Sequence, residues 1–149
     1  HQLAEAIWWP TYQPILSSEQ ISFMLEKMYS EEALADQMLV EGMNFLIVEQ
    51  ENQPVGFAAY SLTDTENQVY KIHKLYVLPD QQGKGTGRML INYMATVAGT
   101  EGGKILELNV NRGNPAFNFY KKIGFTVHQE VDIPYYQFVL NDYILRKPI

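Results

Sequence analysis

The chain has 149 residues, 46% of them hydrophobic and 19% charged, which suits one folded domain with a real core and excludes a disordered tail. It contains no cysteine, so neither a disulfide framework nor a cysteine metal cluster can form, and no metal site is expected. The formal net charge of −6 argues against a general nucleic-acid binder, which is usually basic.

No apolar run approaches the ~20 residues needed to span a bilayer, and no secretory leader is visible. The longest apolar runs, residues 45–48 and 55–60, read as strands. A chain without cysteine suits a reducing compartment, and a cytoplasmic location is the expectation.

His1 to Ala6 reads as helix. Ile21, Met24, Leu25 and Met28 recur at helical spacing, with Ser17 or Ser18 placed to cap that helix. Ser30 restarts the chain as a second N-cap, with Leu34, Met38 and Leu39 on the apolar face of a helix ending near Gly42. Residues 45–50 and 54–62 are apolar runs around the polar Glu51-Asn52-Gln53, a hairpin signal. A third strand is expected over residues 68–78. Its apolar positions change parity between Ile72 and Leu75, which predicts a β-bulge there and a strand that splays from its neighbour.

Residues 85–98 place Leu90, Ile91, Met94 and Ala98 on one face of an amphipathic helix. Residues 104–110 read as a strand. A short helix follows, with Asn114 at the N-cap, Pro115 at the first helical position and Gly124 just past the end. Residues 125–130 and 136–147 close the chain as strands. The expected architecture is a single α/β domain over residues 1–149 with a mixed central sheet flanked by helices.

The most informative segment is Leu75-Tyr76-Val77-Leu78-Pro79-Asp80-Gln81-Gln82-Gly83-Lys84-Gly85-Thr86-Gly87-Arg88. A strand ends at Pro79, and a glycine-rich turn leads straight into a helix. Such a turn presents several backbone N–H groups together, and the helix behind it adds a partial positive charge of roughly half a unit. Gly83, Gly85 and Gly87 remove side chains that would hold an anion off those amides, while Lys84 and Arg88 can neutralise charge at the rim. A Walker loop is excluded, because no Gly-Lys here is followed by Ser or Thr. The dinucleotide fingerprint is excluded too, since its last glycine would fall on Arg88 or Leu90.

What fits is Gln/Arg-x-x-Gly-x-Gly/Ala, met by Gln82-Gly83-Lys84-Gly85-Thr86-Gly87. This resembles the acetyl-CoA loop of the GNAT superfamily of N-acetyltransferases. A second block supports the resemblance: Leu108-Asn109-Val110, then Asn114-Pro115-Ala116, Tyr120 four residues after the alanine, and Gly124-Phe125 after the helix. The likeness covers roughly residues 45–147. It implies a GNAT-type acyl-CoA N-acyltransferase fold, acetyl-CoA as co-substrate, and pyrophosphate held by Gln82, Gly83, Lys84, Gly85, Thr86, Gly87 and Arg88. It further implies that backbone groups of Leu75, Tyr76 and Val77 hold the pantetheine arm, that Asn114 contacts that arm, and that Tyr120 is the general acid beside the thioester.

The chemistry gives Tyr120 a clear task. A departing thiol has a pKa of about 8.5 and a phenol about 10, so a protonated phenol at hydrogen-bond range can donate to the leaving sulfur. An alkylammonium acceptor must first lose a proton, and His73 is the group on the third strand whose pKa suits that work. Water relayed to backbone carbonyls or to an acid such as Glu32 is an equal alternative.

The acceptor is expected to be a small cationic amine, held by aromatic faces and nearby acids: Trp9, Tyr12, Tyr29 and Glu32. The family's rival acceptors are a protein N-terminus or a lysine, and a non-catalytic acyl-CoA-binding domain is a further alternative. A first strand common in the family is not found in the given residues: either it is absent or it lies upstream of them, and its loss would expose a sheet edge. No membrane or nucleic-acid partner is expected. A homodimer through residues 135–143 is suggested by the family's habits.

Overall fold

The computed structural model describes residues His1–Ile149. The elements run α1 (Gln2–Tyr12), α2 (Ser18–Tyr29), α3 (Glu31–Leu39), β1 (Asn44–Gln50), β2 (Gln53–Asp64), β3 (Val69–Val77), a 3₁₀ turn (Pro79–Gln81), α4 (Thr86–Thr100), β4 (Ile105–Asn111), α5 (Ala116–Lys122), β5 (Thr126–Tyr135) and β6 (Phe138–Pro148). One mixed six-stranded sheet is ordered β1-β2-β3-β4-β6-β5. The β3–β4 pair is parallel, whereas β1–β2, β4–β6 and β5–β6 are antiparallel.

Local chemistry explains most boundaries. Ser17 and Ser30 each accept a hydrogen bond from the amide three residues on, Gln20 and Ala33, and so start α2 and α3. Glu51 and Asn52 both carry positive φ, the geometry of a two-residue hairpin turn, and Gln50 pairs with Gln53 across it. Asn114 caps α5 through its side chain, which accepts from the Ala116 amide at 2.9 Å, although the helix itself starts one residue later than the proline suggests. Gly124, with φ +105°, ends it.

Three elements differ from expectation. Helix α1 continues through Pro10 to Tyr12, because a proline in the last turn removes only one bond and Gln13 still closes on the Trp9 carbonyl at 3.0 Å. Strand β5 runs five residues beyond the expected end at Glu130. It is one of the two outermost strands, where a proline is tolerated. On β3, the alternation expected to bury Leu75 instead buries Lys74 and leaves Leu75 half-buried.

The chain divides into two compact units. One comprises His1–Ser61 and Lys74–Ile91, with a core that includes Ala4, Ile7, Ile21, Leu25, Ala58, Ala59 and Ile91. The other comprises Leu62–His73 and Asn92–Ile149, centred on Val69, Met94, Leu106, Phe125 and Leu145. Strands β2 and β3 and helix α4 each have residues in both units.

In the first unit β2 and β3 approach closely at Gly56. A Cβ there would meet the Tyr76 carbonyl oxygen at 2.8 Å and Val48 Cγ1 at 3.0 Å, so only glycine fits. The parallel ladder of β3 with β4 joins Val69 to Ile105 and ends at Ile72 with Leu108. That end falls where the parity argument placed the loss of pairing, so Leu75, Tyr76 and Val77 have no register partner on β4.

Candidate active site

The loop after β3 is built from its own backbone. The Leu78 amide donates to the Val55 carbonyl at 2.9 Å, which fixes the strand end. The 3₁₀ turn then closes through Gln81 N–H to the Leu78 carbonyl at 2.9 Å. Gln82 folds its side-chain amide back to donate to the Val77 carbonyl at 3.1 Å. Gly83 and Gly85 take φ of +77° and +85°, with Lys84 between them at negative φ. Such alternation turns successive N–H groups to one side and forms a concave anion nest.

The amides from Gly83 to Arg88 donate to no carbonyl of the chain, whereas the next, Met89, donates to Gly85 at 3.0 Å. A Cβ built on Gly83 or Gly85 would touch nothing within 4 Å, so the need for glycine here is conformational, and the space beside these amides is open. Helix α4, fifteen residues long, starts at Thr86 and aims its N-terminus at the same place. Lys84 and Arg88 are exposed beside it. The set fits a pyrophosphate: many N–H donors, two cations and no carboxylate within the run 82–88.

Tyr120 lies on α5, 8% exposed, with its ring against Phe125 and Phe119 at centroid distances of 5.8 and 5.4 Å. Burial pushes its hydroxyl up to about 12, so it stays protonated across the physiological range. Asn114, half-buried at the start of α5, spends its Oδ1 on the helix cap and keeps its side-chain N–H₂ without a partner in the chain. His73 is half-buried on β3.

The aromatic residues named from sequence separate. Tyr12, Tyr29 and Tyr76 come together with Trp8 and Phe57 in one cluster of the first unit, with neighbouring ring centroids 4.5 to 6.4 Å apart. The Tyr12 and Tyr76 hydroxyls meet at 2.9 Å. Trp9 is half-buried outside that cluster, and Glu32 is exposed on the first turn of α3. The indole that joins the cluster is Trp8, four residues from Tyr12 and therefore on the same helix face. That spacing was visible in the sequence.

Sequence reasoning missed Lys74, whose ammonium lies 4.2 Å from the Tyr29 ring centroid. Burial first, with a small opposing pull from Glu41, brings its pKa down to about 8. It missed Arg112 as well. The Arg112 guanidinium donates to the Val131 and Asp142 carbonyls at 2.8 and 3.2 Å and pairs with Asp132 at 2.6 Å, which ties the end of β4 to β5 and β6. Burial raises the Asp142 carboxyl above its ordinary range, offset in part by Asn109 at 3.5 Å. No three His, Asp or Glu side chains are grouped to hold a metal, and no helix is long and apolar enough to cross a membrane.

An α/β sheet that ends a strand in an amide-lined, glycine-rich loop offers a helix N-terminus of the kind that can receive a phosphate group. Residues 12–133 match the acetyltransferase (GNAT) domain family, and the chain belongs to that family. It is 38% identical over 86 residues to an uncharacterised N-acetyltransferase of Methanocaldococcus jannaschii, a match covering 54% of this chain and 38% of that protein. It is 36% identical over 104 residues to the peptidyl-lysine N-acetyltransferase YjaB of Salmonella typhimurium, covering 68% of this chain and 63% of that one. The chain thus spans less than two thirds of the length of both relatives. The crystal structure of PaiA N-acetyltransferase from Thermoplasma acidophilum in complex with coenzyme A superposes with a TM-score of 0.85 at 25% identity, over 99% of this chain and 89% of that one.

Proposed function

We propose that the chain is an acetyl-CoA-dependent N-acetyltransferase that transfers the acetyl group to a primary amine by direct attack. The observation that carries this reading is the run of unengaged amides from Gly83 to Arg88 at the N-terminus of α4. On this reading Gln82, Gly83, Lys84, Gly85, Thr86, Gly87 and Arg88 hold the pyrophosphate. The backbone of Leu75, Tyr76 and Val77 pairs with the pantetheine arm like an added strand, and the Asn114 side-chain N–H₂ contacts the same arm. The end of the β3–β4 ladder at Ile72 supports the strand role, because those groups need an edge that β4 does not fill.

Tyr120 protonates the leaving thiolate. Its burial supports that role by keeping the phenol in the donor form. His73 takes the proton from the acceptor ammonium, or passes it through water. The 149 residues work as one domain, since two strands and a helix run through both compact units. The setting is the cytoplasm.

The acceptor we favour is a small cationic amine, which the acidic net charge supports; of the residues named for it, Tyr12 and Tyr29 share the buried cluster, while Trp9 stands outside it and Glu32 is exposed on α3. A peptidyl lysine is the second reading, supported by the likeness to the peptidyl-lysine enzyme of Salmonella typhimurium. Two copies could pair through residues 135–143. Titration of acetyl-CoA into the protein tests the core of the proposal: saturable binding competed by CoA, but not by ATP or NAD, is expected. Absence of such binding overturns it. Acceptor profiling by thiol release, with polyamines against lysine peptides, then decides the acceptor class.

A further inference from the structure

Strand β3 buries Lys74, a position between the expected inward residues Ile72 and Leu75. Lys74 is 6% exposed and forms no ion pair with any carboxylate. Its Nζ faces the Tyr29 ring at 4.2 Å, inside the cluster that Trp8, Tyr12, Phe57 and Tyr76 complete. A second donor in that cluster is also unanswered. The Trp8 indole N–H is electrostatically close to the Tyr29 hydroxyl, but it meets no acceptor in hydrogen-bonding geometry.

Buried donors without acceptors are uncommon and call for an explanation. A buried ammonium that makes no ion pair and feels only the pull of Glu41 is unfavourable, and the same burial leaves part of the Lys74 population as the neutral amine near physiological pH. A neutral, desolvated amine is a nucleophile toward an acyl group.

We propose that Lys74 is an internal acetyl acceptor: its Nζ takes the acetyl group of acetyl-CoA bound by the same chain and becomes Nε-acetyl-lysine. This rests on the acetyl-CoA reading of β3 and its loop. Lys74 directly precedes Leu75, the first residue assigned there to the pantetheine arm. The Nζ lone pair attacks the thioester carbonyl carbon, a C–N bond forms and the C–S bond breaks. The thiolate takes the proton released from Nζ, so the products are the amide and CoA with a free thiol.

The surroundings suit the product better than the reactant. Acetylation removes the charge that burial penalises and sets a methyl group among aromatic rings.

The test uses the wild-type chain and ¹³C-acetyl-CoA, with binding measured by titration on the same preparation. Peptide mass spectrometry after digestion is expected to show labelled acetyl on Lys74, at a rate independent of protein concentration and about tenfold or more above that of exposed Lys84 and Lys121. Gly85→Glu, which removes bound cofactor, is expected to lose the Lys74 label while keeping slow labelling of exposed lysines. If acetyl-CoA binds and Lys74 is unlabelled, or is labelled no faster than the exposed lysines, the proposal is overturned and the cofactor reading stands. If acetyl-CoA does not bind, both fall.

Discussion

The hydroxyls of Tyr12 and Tyr76 meet at 2.9 Å, joining helix α1 to the part of β3 that leads into the glycine loop. Both rings pack on Trp8, so the bond sits in a part-buried setting. Tyr12→Phe and Tyr76→Phe are each expected to lower stability by about 1 kcal/mol in urea denaturation. The double variant should lose less than the sum of the two. Strict additivity would show that the hydroxyls are not coupled.

Gly85→Glu should abolish acetyl-CoA binding, by bulk and by negative charge at the amides of residues 83–88. The backbone at φ +85° adds a strain of about 1–2 kcal/mol for any L side chain, so Gly85→Ala serves as the control for strain alone. Titration calorimetry beside thermal melting separates the two effects. Undiminished affinity in the folded glutamate variant would sink the loop assignment.

Tyr120→Phe is expected to reduce kcat by roughly 10²–10⁴-fold while leaving the acetyl-CoA dissociation constant unchanged. Because burial holds the phenol up to about 12, the wild-type pH–rate profile should show no loss of the acid form below about pH 11. An alkaline limb near pH 10 that vanishes in the phenylalanine variant would contradict the burial argument. Full activity in that variant removes Tyr120 from the reaction.

Lys74 makes stability depend on pH. Its folded pKa of about 8 lies below the ordinary 10.5, so the unfolded chain binds more protons between those values. The penalty is fully present below about pH 8 and is relieved as pH rises toward 10.5. Lys74→Met should therefore be more stable than wild type at pH 7, by on the order of 2–3 kcal/mol, and the gap should narrow by pH 10. A gap that is constant with pH would assign the effect to packing alone.

Gly56→Ala tests the close approach of β2 and β3. A methyl group 2.8 Å from the Tyr76 carbonyl must push backbone, not a flexible side-chain end. A loss of about 1–3 kcal/mol is expected, with weaker acetyl-CoA binding if the shifted strand is the one that carries the pantetheine arm. An alanine variant as stable as wild type would show that the strands can yield.

Punctuation set by neighbouring residues was legible in the sequence. Ser17, Ser30, Asn114, Gly124 and the Glu51-Asn52 turn act within three or four positions, and the structure places each as its chemistry requires. The glycine loop was legible for the same reason. What stayed hidden depends on the phase of one element against another. Lys74 has no local signal for burial, and only the Tyr29 ring from another element supplies a face for its ammonium. Trp8 is a different case: its four-residue spacing from Tyr12 is present in the sequence, although the expectation fell on Trp9 instead. Arg112 gains its partners from the register of β5 and β6, which no local pattern records. Strand β5 outran its expected end because Pro134 is forbidden in a sheet interior but tolerated at the outermost position.

That outermost strand bears on how copies of the chain can meet. A lone strand edge is an open template for any second strand, and β5 ends the sheet with most of its side chains exposed. Pro134 deletes one donor from the edge, and Glu130 and Asp132 set two carboxylates along it. Two copies that zipped together there in opposite directions would lose a rung at each proline and bring four acidic groups into one seam. Arg112 answers only the pair on its own chain. The β5 edge is thus guarded against its own twin, whereas β1, which ends the sheet on the other side, carries no proline.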